Sequence, residues 1–566
     1  MRADEWIATF LINKKVTDVF GIPGAVILDF LYAIERHKPT IQPHLCFHEQ
    51  GAAFAACGYA QTTGNLGVAY ATRGPGFTNM LTAIADAYYD SVPVMFITAH
   101  ATLNADHRMR VMNNQEIDTV SIASSVTKRA VRIDEIESLQ KEFVLAYNAA
   151  MSGRKGPVFL DIYSGLFSKD VNIDAGFIES EIATEIEKDD VATKKFAENM
   201  KAKLKESKHP VVLIGNGARE AKTEIKRIAE KFNIPILSSR TAQDILPESK
   251  MYFGYVGSRA TRYSNFILSK ADLIISLGNR LSFPVNSKSF WPIVENASIV
   301  RVDIDKTEFC RNIPNADNYE LDVRQAVQYL LMQDLYYENN VEWIDSCKYL
   351  KQQLNFWDRN SVVSSIENIM RSSLPTATFV CDVGNHSFWV TAAYTYAEVQ
   401  NRILYSGSFG TLGSALPKAI GAYYATRRPV VCFTGDQGAQ FNIQELQCIA
   451  SNQLPVTVVI LNNCSSGMIM EREIAKFDDY LVHTTVDDGY SYPSFEKIAR
   501  SYGVRYISVD VEKSDNESMS IGSEPTIIEM FIDRNTELCP RLPVGRVCQD
   551  LEPDLPRDMF DTLNNI

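Results

Sequence analysis

Two segments far apart in this chain follow one plan: an apolar strand closed by glycine, an amphipathic helix, and a second apolar strand led in by proline. Residues 68–99 read VAYATRGPGFTNMLTAIADAYYDSVPVMFITA, and residues 430–463 read VVCFTGDQGAQFNIQELQCIASNQLPVTVVILNN. Short continuous apolar runs bounded by turn residues suit strands buried on both faces. Parallel neighbours need a crossover, which the intervening helix supplies. The pattern points to an α/β chain of doubly wound parallel sheets.

At 566 residues the chain exceeds what one hydrophobic core organises, and three domains are expected. An N-terminal domain over 1–170 carries strands in DVFGIP, LGVAYATRG, VPVMFITA and GPVFLDI. A charged stretch from Asp174 to Lys208 reads as a linker leading into an exposed helix. A central domain over 190–335 has strands in PVVLIGNG, IPILSS, ADLIISLGN and ASIVRVDID, and a C-terminal domain over 355–535 follows. The proline-bearing tail 536–566 is expected to wrap over the surface.

A formal charge of −13 without a long Lys/Arg run argues against nucleic acid as a partner. No apolar run reaches the roughly 18–20 residues of a membrane span. Asp4 and Glu5 ahead of a short apolar stretch give an amphipathic first helix rather than a signal peptide. The ten cysteines form no CxxC pair, so neither a zinc nor a redox motif is suggested, and reduced thiols in the cytoplasm are expected.

The chemistry is concentrated in Gly435-Asp436-Gln437, followed after a helix and a strand by Asn462-Asn463. A strand ending in Gly-Asp puts a carboxylate at the mouth of a parallel sheet, where ligands bind. The next strand returns Asn463 beside it. A carboxylate, an amide oxygen and a backbone carbonyl are hard oxygen donors suited to Mg²⁺. This segment resembles the thiamine-diphosphate motif, with Gln437 in place of the usual glycine and Gly438 directly after it. The resemblance implies that Asp436, Asn463 and Ser465 hold Mg²⁺, with Gly435, Gln437, Gly467 and Met468 also at the cofactor.

Further stretches carry the same resemblance. In HEQGAAFAACGYA, Glu49 stands where the family has the glutamate that hydrogen-bonds the cofactor's aminopyrimidine ring. Enclosure among Phe47, Phe54 and small residues would keep a proton available there. SGSFGTLGSALPKAIGA looks like the loop beneath the cofactor, with the carbonyl of Gly410 accepting from the ring amine and Leu412 as the apolar wedge. DVGNHSFW places Gly384, Asn385 and His386 at the diphosphate. Gln115, in NNQEID, matches a polar side chain near the reacting centre. TRGPGFTN and DSVPVMFIT look like segments that face a second subunit. The two strand–helix–strand segments could be merely two similar units, but each carries a different half of this one site.

Taken from the N-terminus to about residue 535, the chain is similar to the acetolactate synthase group. That resemblance implies decarboxylation of a 2-keto acid, pyruvate foremost, and transfer of the two-carbon unit to an acceptor carbonyl. It implies at least a homodimer, with a homotetramer open. It also implies FAD without a redox role in the central domain, at Gly215, Gly217, Gly254, Gly257, Gly278, Arg280, Asp303 and Asp322; loss of that ligand is the alternative. Two positions depart from the group: Arg472 replaces a tryptophan of the acceptor pocket, and Pro284 replaces an arginine. Arg472 is either a cationic anchor for an anionic acceptor, such as a nucleotide-linked ketosugar, or a surface residue. Acetolactate synthase proper and a non-ligating decarboxylase remain alternatives, as do a silent regulatory paralogue and a flavin oxidase.

Overall fold

The structure, a computed structural model, describes residues 1–103, 110, 113–172, 190–282, 288–333, 341–355, 357–512, 521 and 524–566. The described residues form three six-stranded parallel sheets interleaved with helices, the expected fold class. The first holds β1 (Asp18–Gly21), β2 (Gln42–Leu45), β3 (Gly67–Tyr70), β4 (Val94–His100), β5 (Arg129–Ile133) and β6 (Val158–Tyr163), in the order β2-β1-β3-β4-β6-β5. The second holds β7 (Pro210–Ile214), β8 (Ile236–Ser238), β9 (Tyr252–Tyr255), β10 (Leu273–Leu277), β11 (Ser298–Asp303) and β12 (Ala316–Glu320), ordered β12-β11-β10-β7-β8-β9. The third holds β13 (Thr378–Cys381), β14 (Ile403–Tyr405), β15 (Val430–Gly435), β16 (Val456–Asn462), β17 (Arg505–Asp510) and β18 (Thr526–Phe531), ordered β14-β13-β15-β16-β18-β17.

The first and third sheets have one topology, so the shared sequence plan is a shared fold. In both, the strand order reverses between the first and third strands of the sheet. Such switch points open crevices beyond the carboxyl ends of the strands. The second sheet has the other doubly wound order, with its switch point between β7 and β10.

Two helices join the outer domains. Helix α1 (Glu49–Thr63) lies against the C-terminal domain, and α2 (Pro75–Asp90) follows β3. Helix α3 (Asp190–Glu206) corrects the expectation of an exposed helix: Phe196, Ala197, Met200 and Leu204 are buried in the central core. Helix α4 (His386–Ala397) follows β13, and α5 (Ala415–Thr426) packs directly on α1. The packing is backbone to backbone. A methyl at Gly58 would sit 2.1 Å from the Lys418 carbonyl, and one at Gly421 would sit 1.8 Å from that of Ala55. The two domains therefore share one apolar core. Helix α6 (Gly467–Lys476) follows β16. The tail lies on the central domain: Arg262 donates to the carbonyls of Leu551 and Pro553, and Asn265 to that of Cys548.

Candidate functional site

At the switch point of the third sheet, β13 runs into 382–386, β15 into 435–437 and β16 into 463–467. Asp436 is 2% exposed, and burial pushes its carboxyl up to about 6. The Tyr490 hydroxyl donates to its Oδ2 at 2.8 Å. Gln437 accepts from Ser466 at 3.0 Å, so the residue in the usual glycine position ties the loop after β15 to the loop after β16. The latter loop is further held by Ser466 N–H, which donates to the Thr484 carbonyl at 2.8 Å.

Asn385, Asn463 and Ser465 converge on the start of α6. A methyl at Gly467 would meet Asn463 Nδ2 at 2.7 Å, Asn385 Nδ2 at 3.3 Å and Ser465 Oγ at 3.7 Å. Met468 follows in the same turn and is half-buried. His386 lies beside Gly435, where a methyl would approach its Nδ1 to 3.3 Å, and Gly384 takes a φ of 145° against the same ring. Burial lowers the imidazole to about 4, which keeps it neutral. Asn385 Oδ1, His386 Nε2 and Ser465 Oγ are buried without a hydrogen-bond partner. Buried polar atoms are rarely left so, and three in one crevice mark a place for a polar ligand. An aspartate, an amide and backbone carbonyls around it suit a diphosphate carried by Mg²⁺. The group of residues fits the cofactor that the sequence resemblance implies.

The loop 406–413 borders this crevice. Gly410 takes a φ of 73° with open space around it, and Leu412 is half-buried, its Cδ1 facing Gly438. At the loop's far end, Gly413 N–H donates to Asp382 and its carbonyl accepts from Asn442.

In the first domain Glu49 opens α1, where the His48 ring caps the helix by accepting from Gln50 N–H. Asn79 on α2 donates to Glu49 Oε2 at 2.9 Å. Phe54 is buried, but Phe47 is 44% exposed and gives no enclosure. Gln115 is exposed, and its carbonyl packs on Gly74 at the head of α2. Among the described residues no hydrogen bond joins Glu49 or Gln115 to the Asp436 crevice. Asn79 and Tyr490 are positioning contacts that the sequence reading missed; the spacing of Asn79 within its helix gave no signal, and Tyr490 lies more than fifty residues from its partner.

In the central domain Gly215, Gly217 and Gly278 meet at the β7–β10 switch point, as expected of a nucleotide site. Their missing side chains are accounted for by one another. A methyl at Gly215 would lie 2.1 Å from the Gly278 carbonyl, and Gly217 N–H donates to that carbonyl. Gly254 packs on Thr261 and Ser264, and Asn265 holds both the N–H and the carbonyl of Gly257. Asp322 caps a helix through Gln325 N–H, Asp303 accepts from Asp305 N–H, and Arg280 donates to the Tyr89 carbonyl and to Ser408. No partnerless buried polar atom belongs to this set among the described residues. The set thus has the topology of a nucleotide site but, unlike the Asp436 crevice, no orphaned atom that calls for a flavin.

Arg472 is exposed on α6, while its neighbour Glu471 turns inward, accepts from Asn385 Nδ2 at 2.8 Å and pairs with Arg259 of the central domain at 3.2 Å. Pro284 lies outside the described residues. No described helix is long and apolar enough to cross a membrane.

Three family models match the chain. They are described as thiamine pyrophosphate enzyme N-terminal TPP binding domain over residues 1–122, central domain over 197–330, and C-terminal TPP binding domain over 382–527. The chain is 31% identical to the acetolactate synthase large subunit of Lactococcus lactis subsp. lactis, over 93% of this chain and 92% of that protein. It is 31% identical to the acetolactate synthase isozyme 1 large subunit of Escherichia coli, with 96% of each covered. It is also 31% identical to the large subunit from Cyanidium caldarium, over 95% of this chain and 94% of that protein.

Proposed function

The chain belongs to the thiamine-diphosphate-dependent acetolactate synthase family, which carries out 2-keto acid decarboxylation and carboligation, and from that premise we propose that its donor is pyruvate and its acceptor a carbonyl compound other than pyruvate that bears an anionic group. The observation that carries the site assignment is the trio of partnerless polar atoms, from Asn385, His386 and Ser465, beside Asp436 at a sheet switch point. When bound, thiamine diphosphate supplies the carbon nucleophile and the electron sink that decarboxylation requires.

The chain's own residues do the rest. Asp436, Asn463 and Ser465 hold Mg²⁺ through oxygen, and Tyr490 fixes the aspartate by occupying its second oxygen. Gly384, Asn385 and His386 line the diphosphate end with Gly435, Gln437, Gly467 and Met468. Gly410 and Leu412 orient the rings. Glu49, aimed by Asn79, holds a proton for the aminopyrimidine. Gln115 positions substrate. Arg472 offers a charged planar fork for a phosphate or carboxylate of the acceptor, a nucleotide-linked ketosugar being one class with that chemistry. A second reading, acetolactate synthase proper, is favoured by the nearly full-length likeness to large subunits of that enzyme.

The protein is proposed to work in the cytoplasm as a homodimer or homotetramer. FAD is kept only as a candidate at the β7–β10 edge, with no step assigned to it; the visible absorbance of the purified protein decides its presence. The function is tested by incubating the protein with thiamine diphosphate, Mg²⁺ and pyruvate, and following carbon dioxide, acetaldehyde and acetolactate. Other 2-keto acids and ketosugar nucleotides are then added. Carbon dioxide release with a carboligation product formed only when an anionic acceptor other than pyruvate is added supports the proposal. Efficient acetolactate formation from pyruvate alone favours the second reading, and no carbon dioxide from any 2-keto acid sinks both.

A further inference from the structure

We propose that Asp86, Asp90, Lys418 and Arg280, drawn from all three domains, form a clamp that sets the conformation of the 406–413 loop and so positions Gly410 and Leu412 at the cofactor. The inference rests on the assignment of that loop to thiamine diphosphate.

Asp86 on α2 is fully buried and pairs with Lys418 on α5, itself 1% exposed, at 2.7 Å. A buried ion pair is weak evidence for stability, because apolar residues of similar volume often serve as well. What the pair does here is present a fixed carboxylate to the loop. Ser406 donates to Asp86 Oδ1 at 2.5 Å and Thr411 donates to the same oxygen at 2.9 Å. Ser406 Oγ in turn accepts from Thr411 N–H at 3.0 Å, so the two ends of the turn are tied to one atom and to each other. Gly410 and Leu412 flank Thr411 directly.

One helical turn further along α2, Asp90 accepts from the N–H groups of Gly407 and Ser408 at 2.7 and 2.8 Å. The loop backbone lies flush on this carboxylate: a methyl at Gly407 would be 3.3 Å from Asp90 Oδ1 and 2.8 Å from Thr241 of the central domain. Arg280 closes the third side, donating to Ser408 Oγ at 2.8 Å, to the Tyr89 carbonyl at 2.5 Å and to Ser91 Oγ at 3.3 Å. Five of the loop's polar groups are thus committed to fixed charges, while Gly410 at its tip has open space around it. Arg280, which sequence reasoning assigned to a flavin, divides its guanidinium between this loop, the end of α2 and Glu308 of the central domain.

The test separates positioning from folding. Ser406→Ala/Thr411→Val removes both hydroxyl donors and leaves the Asp86–Lys418 pair in place. Thiamine diphosphate binding with Mg²⁺, measured by calorimetry at a temperature where the variant is fully folded, is expected to weaken about tenfold or more, the scale of one charged hydrogen bond, with kcat falling alongside; the Tm of the cofactor-free protein falls as well, because Asp86 Oδ1 loses its donors. Thr411→Val alone is expected to show a smaller loss that Thr411→Ser restores, and this pair carries the test if the double variant does not fold. A double variant, or Thr411→Val, whose Kd and kcat both stay within about twofold of wild type overturns the clamp, whatever happens to Tm. Asp436→Asn serves as control: if it binds the cofactor like wild type, the site assignment fails instead of the clamp.

Discussion

Two glutamates flank the start of α1, and their surroundings give them different work. Glu49 is oriented by Asn79, and as the proposed proton holder its replacement by Gln should lower kcat by about 100-fold or more while leaving thiamine diphosphate binding nearly intact. Steady-state rates and calorimetry on one preparation check both halves. Glu445 is fully buried between domains and accepts from the N–H groups of Phe47 and His48, and desolvation pushes its carboxyl up to about 7 from 4.5. The folded state therefore holds that proton more tightly than the unfolded chain does. Its stabilising contribution is complete below pH 4.5 and is lost as pH rises through about 7. The loss is at most about 3.5 kcal/mol, at about 1.4 kcal/mol per unit. Denaturant unfolding of Glu445→Gln, whose side chain keeps an acceptor but does not titrate, should show a flatter stability profile across that window; an unchanged profile refutes the assignment.

At the scale of elements, the α1–α5 contact depends on Gly58 and Gly421, each facing a backbone carbonyl of the other helix. Backbone cannot yield as a flexible side chain can. Gly421→Ala should therefore cost about 1–3 kcal/mol or more of stability, read as a lower denaturation midpoint. Neither glycine announces this in sequence, because a helical glycine looks the same whether it meets solvent or another helix. The strands show a similar divide. Every strand named from the first and central domains lies inside its sheet, where burial on both faces forces a continuous apolar run. Those passed over there, β2, β5, β9 and β12, are all sheet edges. In QPHL, RAVRI and ADNYE, half-exposed positions carry polar residues, and the apolar signal is diluted. Helix α3 was misjudged for the opposite reason: its many charges hid one buried face.

For the whole molecule, the first and third domains are locked together within one chain, yet Glu49 shares no hydrogen bond with the Asp436 crevice among the described residues. The proposed homodimer resolves this by pairing the Glu49 of one chain with the Asp436 crevice of another. Mixing inactive Glu49→Gln with inactive Asp436→Asn after subunit exchange should then restore up to about a quarter of wild-type activity, since half the dimers are mixed and one of their two sites is intact. No recovery after demonstrated exchange would place both halves in one chain. Tyr88, Tyr89, Phe409 and Phe441 are exposed apolar groups on α2 and near the 406–413 loop, as an uncovered contact surface would be.

By itself, the sequence determined the fold class, the order of the blocks, the family and the residue types at the crevice. These are local matters: strand burial writes an apolar run, a sheet mouth needs Gly-Asp, and both are contiguous in the chain. Only the tertiary structure decided which atoms are left without partners, that Tyr490 and Asn79 aim the candidate groups, and that Arg280 faces the 406–413 loop. Those facts depend on side chains brought together from positions tens to hundreds of residues apart, where packing alone sets the distance.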